Sequence, residues 1–204
     1  MKNLLIALCL ASACAAAQAE APRWRVLGSV AYGSGGDTLV SETYSNTGQP
    51  FELRTGTGWV WTIGADLRIT DKVAIQGSIG HQRNRAIGAN FDFDFQRQPV
   101  ELLAFYALTD QVRLGLGARK VQNAKLTGYG TAAGYTGTGN YDSTVGAVLE
   151  GQYFFTSPSL TERKLMVGMN LRYVQETFKL AEDGVGPKTD KRGDHVEIGV
   201  VFYY

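Results

Sequence analysis

The groups in this chain with most chemistry to explain are charges set inside otherwise apolar stretches. Glu101, Arg119, Glu150, Arg172 and Glu197 each sit in a segment that alternates apolar and polar residues. An acid or a guanidinium enclosed in a protein must be paired. Such a set therefore reads as an ion-pair network, either a structural plug or the polar lining of a gated pore. The plug is the reading that buried charge favours.

Other candidate chemistries are thinner. The histidines are His81 and His195, and no serine and acid arrangement around them points to a catalytic triad. A histidine at a strand rim is expected to be solvated or interfacial. Asp92 and Asp94 alternate with phenylalanine in FDFDF at 91–95. Two acids on one face fall short of the six or more oxygens that calcium takes, so a strand extension is expected there and no metal or cofactor. The RGD at 192–194 is a three-residue match in a charged segment, expected by chance. GYGTAAGYTGTGNY at 128–141 pairs glycine with spaced tyrosines, a composition that suits protein contacts but reads first as a solvated loop.

The elements that hold these residues follow from a period of two, the mark of a strand. Trp24, Val26, Gly28, Val30 and Tyr32 share a face. So do Trp59, Trp61, Ile63, Ala65, Leu67 and Ile69, then Val73, Ile75, Gly77 and Ile79, and Val100, Leu102, Ala104, Tyr106 and Leu108. Val112, Leu114, Leu116 and Ala118 continue the series, followed by Ala147, Leu149, Gly151, Tyr153 and Phe155, then Leu165, Val167, Met169, Leu171 and Tyr173. The final set is Val196, Ile198, Val200, Phe202 and Tyr204, which makes eight strands. The connections alternate in length. TDK at 70–72 and TDQ at 109–111 are tight turns, and TSPSLTER at 156–163 is longer. Segments of roughly 34–54, 83–97, 122–142 and 178–194 are rich in turn formers and read as long loops. LRITDKVAIQGSIG and YALTDQVRLGLGAR repeat one hairpin design.

The face opposite the apolar one carries Arg25, Asp66, Arg68, Gln76, Glu101, Arg113, Arg119, Glu150, Gln152, Asn170, Arg172 and Glu197. Aromatics cluster near strand ends on the apolar face, as at the two interfaces of a membrane barrel. An arginine turned to lipid at the midplane costs about 2–4 kcal/mol, so the polar face must point inward. Eight strands leave an interior that side chains can fill. At that level Glu101 meets Arg119, and Arg172 falls between Glu150 and Glu197, with Glu150 expected slightly lower. The fold class is all-β: an eight-stranded antiparallel transmembrane up-and-down barrel.

The first 19 residues read as a secretory signal: Lys2, an apolar stretch from Leu4 to Leu10, and Ala17-Gln18-Ala19 before Glu20. LASAC, ending on Cys14, is a rival lipoprotein site, with Ala11 where a larger aliphatic residue is usual. Residues 20–204 form the barrel domain. Both cysteines, Cys9 and Cys14, fall within the signal. Without Lys2, basic and acidic residues balance at 19 each, which gives no electrostatic case for nucleic acid.

On these residues the chain resembles the small OmpA-like and OmpX-like barrels of Gram-negative outer membranes, over the whole segment after the signal. In such proteins a final strand with alternate apolar residues and a terminal aromatic is read by the barrel assembly machinery. Val196, Ile198, Val200, Phe202 and Tyr204 fit that pattern. The resemblance implies outer-membrane localisation, contact with lipid and lipopolysaccharide, and a structural or surface-interaction role through four extracellular loops. A narrow OmpW-like channel for small or hydrophobic solutes is the alternative. Small outer-membrane lipid A deacylases are similar in size, but their His-x-Ser pair is missing: His81 precedes Gln82-Arg83 and His195 precedes Val196-Glu197. No enzyme activity is expected.

Overall fold

The computed structural model describes residues 24–43, 48–88, 91–155 and 165–204. The signal segment and the 156–163 turn lie outside these residues. The described chain forms thirteen strands in order: β1 (Trp24–Gly35), β2 (Thr38–Thr43), β3 (Pro50–Arg54), β4 (Gly58–Arg68), β5 (Val73–Ile87), β6 (Phe91–Ala107), β7 (Val112–Gly130), β8 (Gly139–Ser143), β9 (Val145–Phe154), β10 (Met166–Gln175), β11 (Thr177–Leu180), β12 (Asp190–Arg192) and β13 (His195–Tyr203). Eight of them close a ring through β7-β6-β5-β4-β1-β13-β10-β9 and back to β7, each pair antiparallel. The chain's last strand closes on its first, from Leu27↔Tyr203 to Gly35↔His195. Val26 and Tyr204 exchange two further backbone hydrogen bonds of 2.8 and 2.9 Å, which carry the seam to the last residue.

The outward face through the ring is apolar and exposed: Ile63, Leu102, Leu116, Leu149, Leu171 and Ile198 are among its members. Trp24, Trp59, Tyr106, Tyr153, Tyr173 and Tyr204 stand near its two edges, also exposed. A water-soluble protein does not present so continuous an apolar surface, and this band is the lipid contact of a transmembrane barrel. The two tight turns share one construction. Thr70 Oγ1 accepts from the amides of Lys72 and Val73, and Thr109 Oγ1 accepts from those of Gln111 and Val112. The repeated Thr-Asp motif is thus a hydroxyl-capped hairpin turn.

The segments read as long loops are largely strand, a correction to the sequence reading. β7 runs for 19 residues and β6 for 17, while a tilted strand crosses a membrane in about 9–11. The excess stands above the lipid band. There β5, β6, β7, β8, β11 and β12 continue as paired strands, and β2 and β3 form a separate hairpin. The reason is an inner face that changes character. Val40, Leu53, Phe93, Phe95, Val121, Ala124, Leu126, Phe178 and Leu180 turn inward and build an apolar core beyond the membrane. FDFDF is a strand extension within β6, and its acids face outward onto Arg83 and Arg85. The tyrosine-rich 128–141 segment is packed rather than only solvated, since Ala132 and Tyr141 join this core and Tyr135 meets Phe93 edge-on at 5.1 Å.

Candidate functional site

The strand register stacks the predicted charges at one level of the lumen. Arg172 is the cross-strand partner of Glu150 on one side and of Glu197 on the other. Glu101 is the partner of Arg119. Glu150 therefore lies level with Arg172, not below it. Arg172 reaches Glu101 Oε2 at 2.5 Å, Glu197 Oε2 at 2.7 Å and Glu150 Oε2 at 3.1 Å. Arg119 meets Glu101 and Glu197 from the other side, each at 3.1 Å, and donates to Gln82 Oε1 at 3.0 Å. Glu150 also accepts from Gln152 and Asn170. All five predicted members are in one connected cluster and are no more than 6 % exposed.

The cluster is larger than the alternation in the membrane segments indicated. Arg97 on β6 donates to Glu176 at 3.1 Å, and Glu176 Oε2 also lies 3.1 Å from Arg119 Nε. His195 is buried rather than at a solvated rim. Its Nε2 faces Glu197 Oε1 at 2.9 Å and its Nδ1 faces the Gly193 carbonyl at 2.5 Å. The correction has a simple cause: His195 opens the last strand on the same inward face as Glu197, and its partner level is filled by β10 and β11. Arg97, Glu176 and His195 keep inward parity with Glu101, Arg172 and Glu197. That parity was the available signal, lost where the flanking residues were read as loop. His81 is exposed on the outward face, paired in register with Trp61, as an interfacial residue would be.

Glycines let this layer close. A Cβ on Gly56 would lie 2.5 Å from the His195 Cβ, and one on Gly33 would lie 2.6 Å from the Gly56 carbonyl oxygen. The layer is roofed by the apolar core, with Arg97 stacked over Phe95 and Phe178 at 5.4 and 5.6 Å. Below it, towards the tight turns, Leu103 and Phe105 fill the section, while Val148 and Val174 join their cluster from the strand positions just beyond Glu150 and Arg172. Next comes a second polar level centred on Arg113, which binds Asp66, Gln152 and Tyr203. The lumen is thus crossed by two charged levels and an apolar one. Among the described residues no group of histidine, cysteine and acid side chains is arranged to hold a metal.

Outside the membrane, Asp94 accepts both nitrogens of a forked Arg83 contact, at 2.9 and 2.6 Å, and a hydrogen bond from Gln96. Burial pushes its carboxyl up, but the Arg83 and Gln96 bonds and the Arg83 charge outweigh it and hold it below the ordinary aspartate value. Burial pushes the Tyr141 phenol up to about 12. The RGD segment is spent on the fold: the Arg192 amide donates to Asp37 and Asp194 accepts from the Glu176 amide.

No family model and no curated protein matches the chain. Solved structures are similar at low identity. The attachment invasion locus protein Ail of Yersinia pestis aligns at 12 % identity and a TM-score of 0.49, covering 89 % of this chain and 97 % of that one. The outer membrane protein AlkL, solved in lipid bilayers, aligns at 13 % identity and 0.49, covering 93 % and 94 %. Neisserial surface protein A aligns at 14 % identity and 0.45, covering 89 % and 97 %. The barrel assignment itself rests on the closed ring and its apolar outer band.

Proposed function

We propose that the chain is a bacterial outer-membrane barrel whose role is structural and surface-interacting, with a lumen closed to solutes and no enzymatic step. The observation that carries this is the stack of filled levels inside the ring. The charged layer around Arg119 and Arg172 and the apolar core around Phe95 and Phe178 occupy successive sections. The contact surface is then a rigid β extension rather than four floppy loops, because its strands are paired and its core is packed. Lipid and lipopolysaccharide meet the outer band. Val196, Ile198, Val200 and Phe202 alternate outward with Tyr204 at the seam, an arrangement suited to recognition by the assembly machinery before closure. A narrow solute channel, the alternative, needs a continuous polar path that these levels interrupt.

The topology has a direct test. Cys9 and Cys14 fall in the proposed signal, so single introduced cysteines report alone. In intact cells a membrane-impermeant maleimide is expected to label Glu182→Cys, between β11 and β12, and to spare Asp110→Cys in a tight turn. Labelling with the opposite preference, or recovery of the protein as a soluble periplasmic species, overturns the proposal.

A further inference from the structure

We infer that the turn end of the lumen is a binding site for a small organic carboxylate, with its charge on Arg68 and its apolar body against Phe105 and Phe154. A cavity of about 130 Å³ opens at this end, lined by Arg25, Arg68, Lys72, Phe105, Arg113 and Phe154 among others. It is blind, because Arg113 and its partners close its inner side.

The charge around the cavity is unbalanced in depth. Arg25 is within electrostatic reach of Asp66, Arg113 and Arg68. Asp66 is the buried acid of that group, and both of its oxygens are taken by Arg113 Nη1, at 3.1 and 3.2 Å. Arg113 is fully engaged: it also donates to Gln152 at 2.8 Å, and its guanidinium lies 4.2 Å over the Phe105 ring. Arg25 Nη1 contacts Met166 Sδ at 2.5 Å. Among the described residues the other acids at this end, Asp71 and Asp110, sit exposed at the turn tips. Arg68 differs from its neighbours. Among the described residues its Nη1 is buried and has no hydrogen-bond partner. A buried donor left unmade carries its full desolvation cost, so an incoming acceptor gains what the fold leaves unsatisfied.

The shape of the gap selects the ligand. A guanidinium offers a planar fork that matches a carboxylate. An unpartnered cationic nitrogen in a cavity that two aromatic rings also line suits a single negative charge on a compact apolar body. The cavity holds about four water volumes, which limits the ligand to the size of butyrate or benzoate.

The test uses the purified full chain in detergent micelles with benzoate as probe, followed by saturation-transfer NMR and calorimetry against protein-free micelles. Saturable binding in the millimolar range is expected, with competition by butyrate and none by uncharged benzyl alcohol. Arg68→Gln should weaken binding at least fivefold, Arg68→Lys should weaken it less, and Arg54→Gln at the opposite end should leave it unchanged. Correct folding of each variant is checked by its unboiled gel mobility. The inference is overturned if benzoate does not saturate, if benzyl alcohol binds as well, or if Arg68→Gln binds as tightly as the wild type.

Discussion

Replacing Arg172 with methionine keeps much of its volume and removes the cation that three carboxylates share. Glu101, Glu150 and Glu197 all lie within 3.1 Å of its guanidinium. Breaking a buried ion network by removing one partner costs about 3–5 kcal/mol. A ceiling on that loss comes from letting one orphaned glutamate take up a proton. At pH 7 this costs about 3.7 kcal/mol from an ordinary carboxyl value near 4.3, at about 1.36 kcal/mol per pH unit. The two routes agree, and a loss of about 3.5 kcal/mol is expected at pH 7. At pH 5 protonation costs only about 1 kcal/mol, so the penalty should shrink as the medium is acidified. With a slope of about 2 kcal/mol per molar urea, the pH 7 midpoint should fall by about 2 M. The geometry also ranks the rescues. Glu197 keeps Arg119 and His195, and Glu101 keeps Arg119, whereas Arg172 is the ionic partner the structure gives Glu150. Glu150→Gln should therefore restore more stability than Glu197→Gln. Urea unfolding in lipid vesicles, read by tryptophan fluorescence, measures all of these. The reasoning fails if Arg172→Met is as stable as wild type, if its penalty grows with acid, or if neither second change rescues it.

Leu116→Arg, at an outward position 65 % exposed to the bilayer, should cost about 2–4 kcal/mol in the same assay, while Leu171→Met should be nearly silent; equal effects would refute the lipid-facing assignment. Phe178→Ala empties a fully buried place in the core above the lipid band and should cost about 3–5 kcal/mol. It should also raise protease sensitivity between β11 and β12 while leaving membrane insertion intact, and unchanged proteolysis would argue against a packed core there. Asp94 has a depressed carboxyl, so its contribution is present above the ordinary aspartate value near 3.8 and fades as pH falls through the lower folded value. Because Arg83 is half exposed, the Asp94→Asn difference should stay under about 1 kcal/mol at neutral pH and vanish in acid. A difference that increases on acidification would contradict the pairing.

Much of the barrel was legible because lipid imposes a simple rule. Within the band, apolar residues such as Leu102 and Leu116 must face out, and charges such as Glu101 and Arg119 must face in. Above the band the rule inverts. On β6 the outward positions become Asp92, Asp94 and Gln96, and the inward ones become Phe93 and Phe95. Read with a single polarity, that stretch looks like the end of a strand. The same inversion hid Phe178 on β11 and Leu126 on β7, and with them the core above the lipid band. Arg97, Glu176 and His195 were lost for a related reason: they stand where the two regimes meet, one or two strand steps past the last lipid-facing residue. Their parity with Glu101, Arg172 and Glu197 was present, but the Gly- and Asp-rich flanks resembled turns. The Arg68 cavity was not legible at all, since an unpartnered donor is defined by what other strands bring to it.

The central claim is that the ring encloses filled levels rather than a pore. Single-channel recording of the purified chain in planar bilayers tests it most directly. Filled levels predict no stepwise current across the physiological voltage range, for the wild type and for Leu171→Met alike. Steady, porin-sized conductance steps would contradict the account.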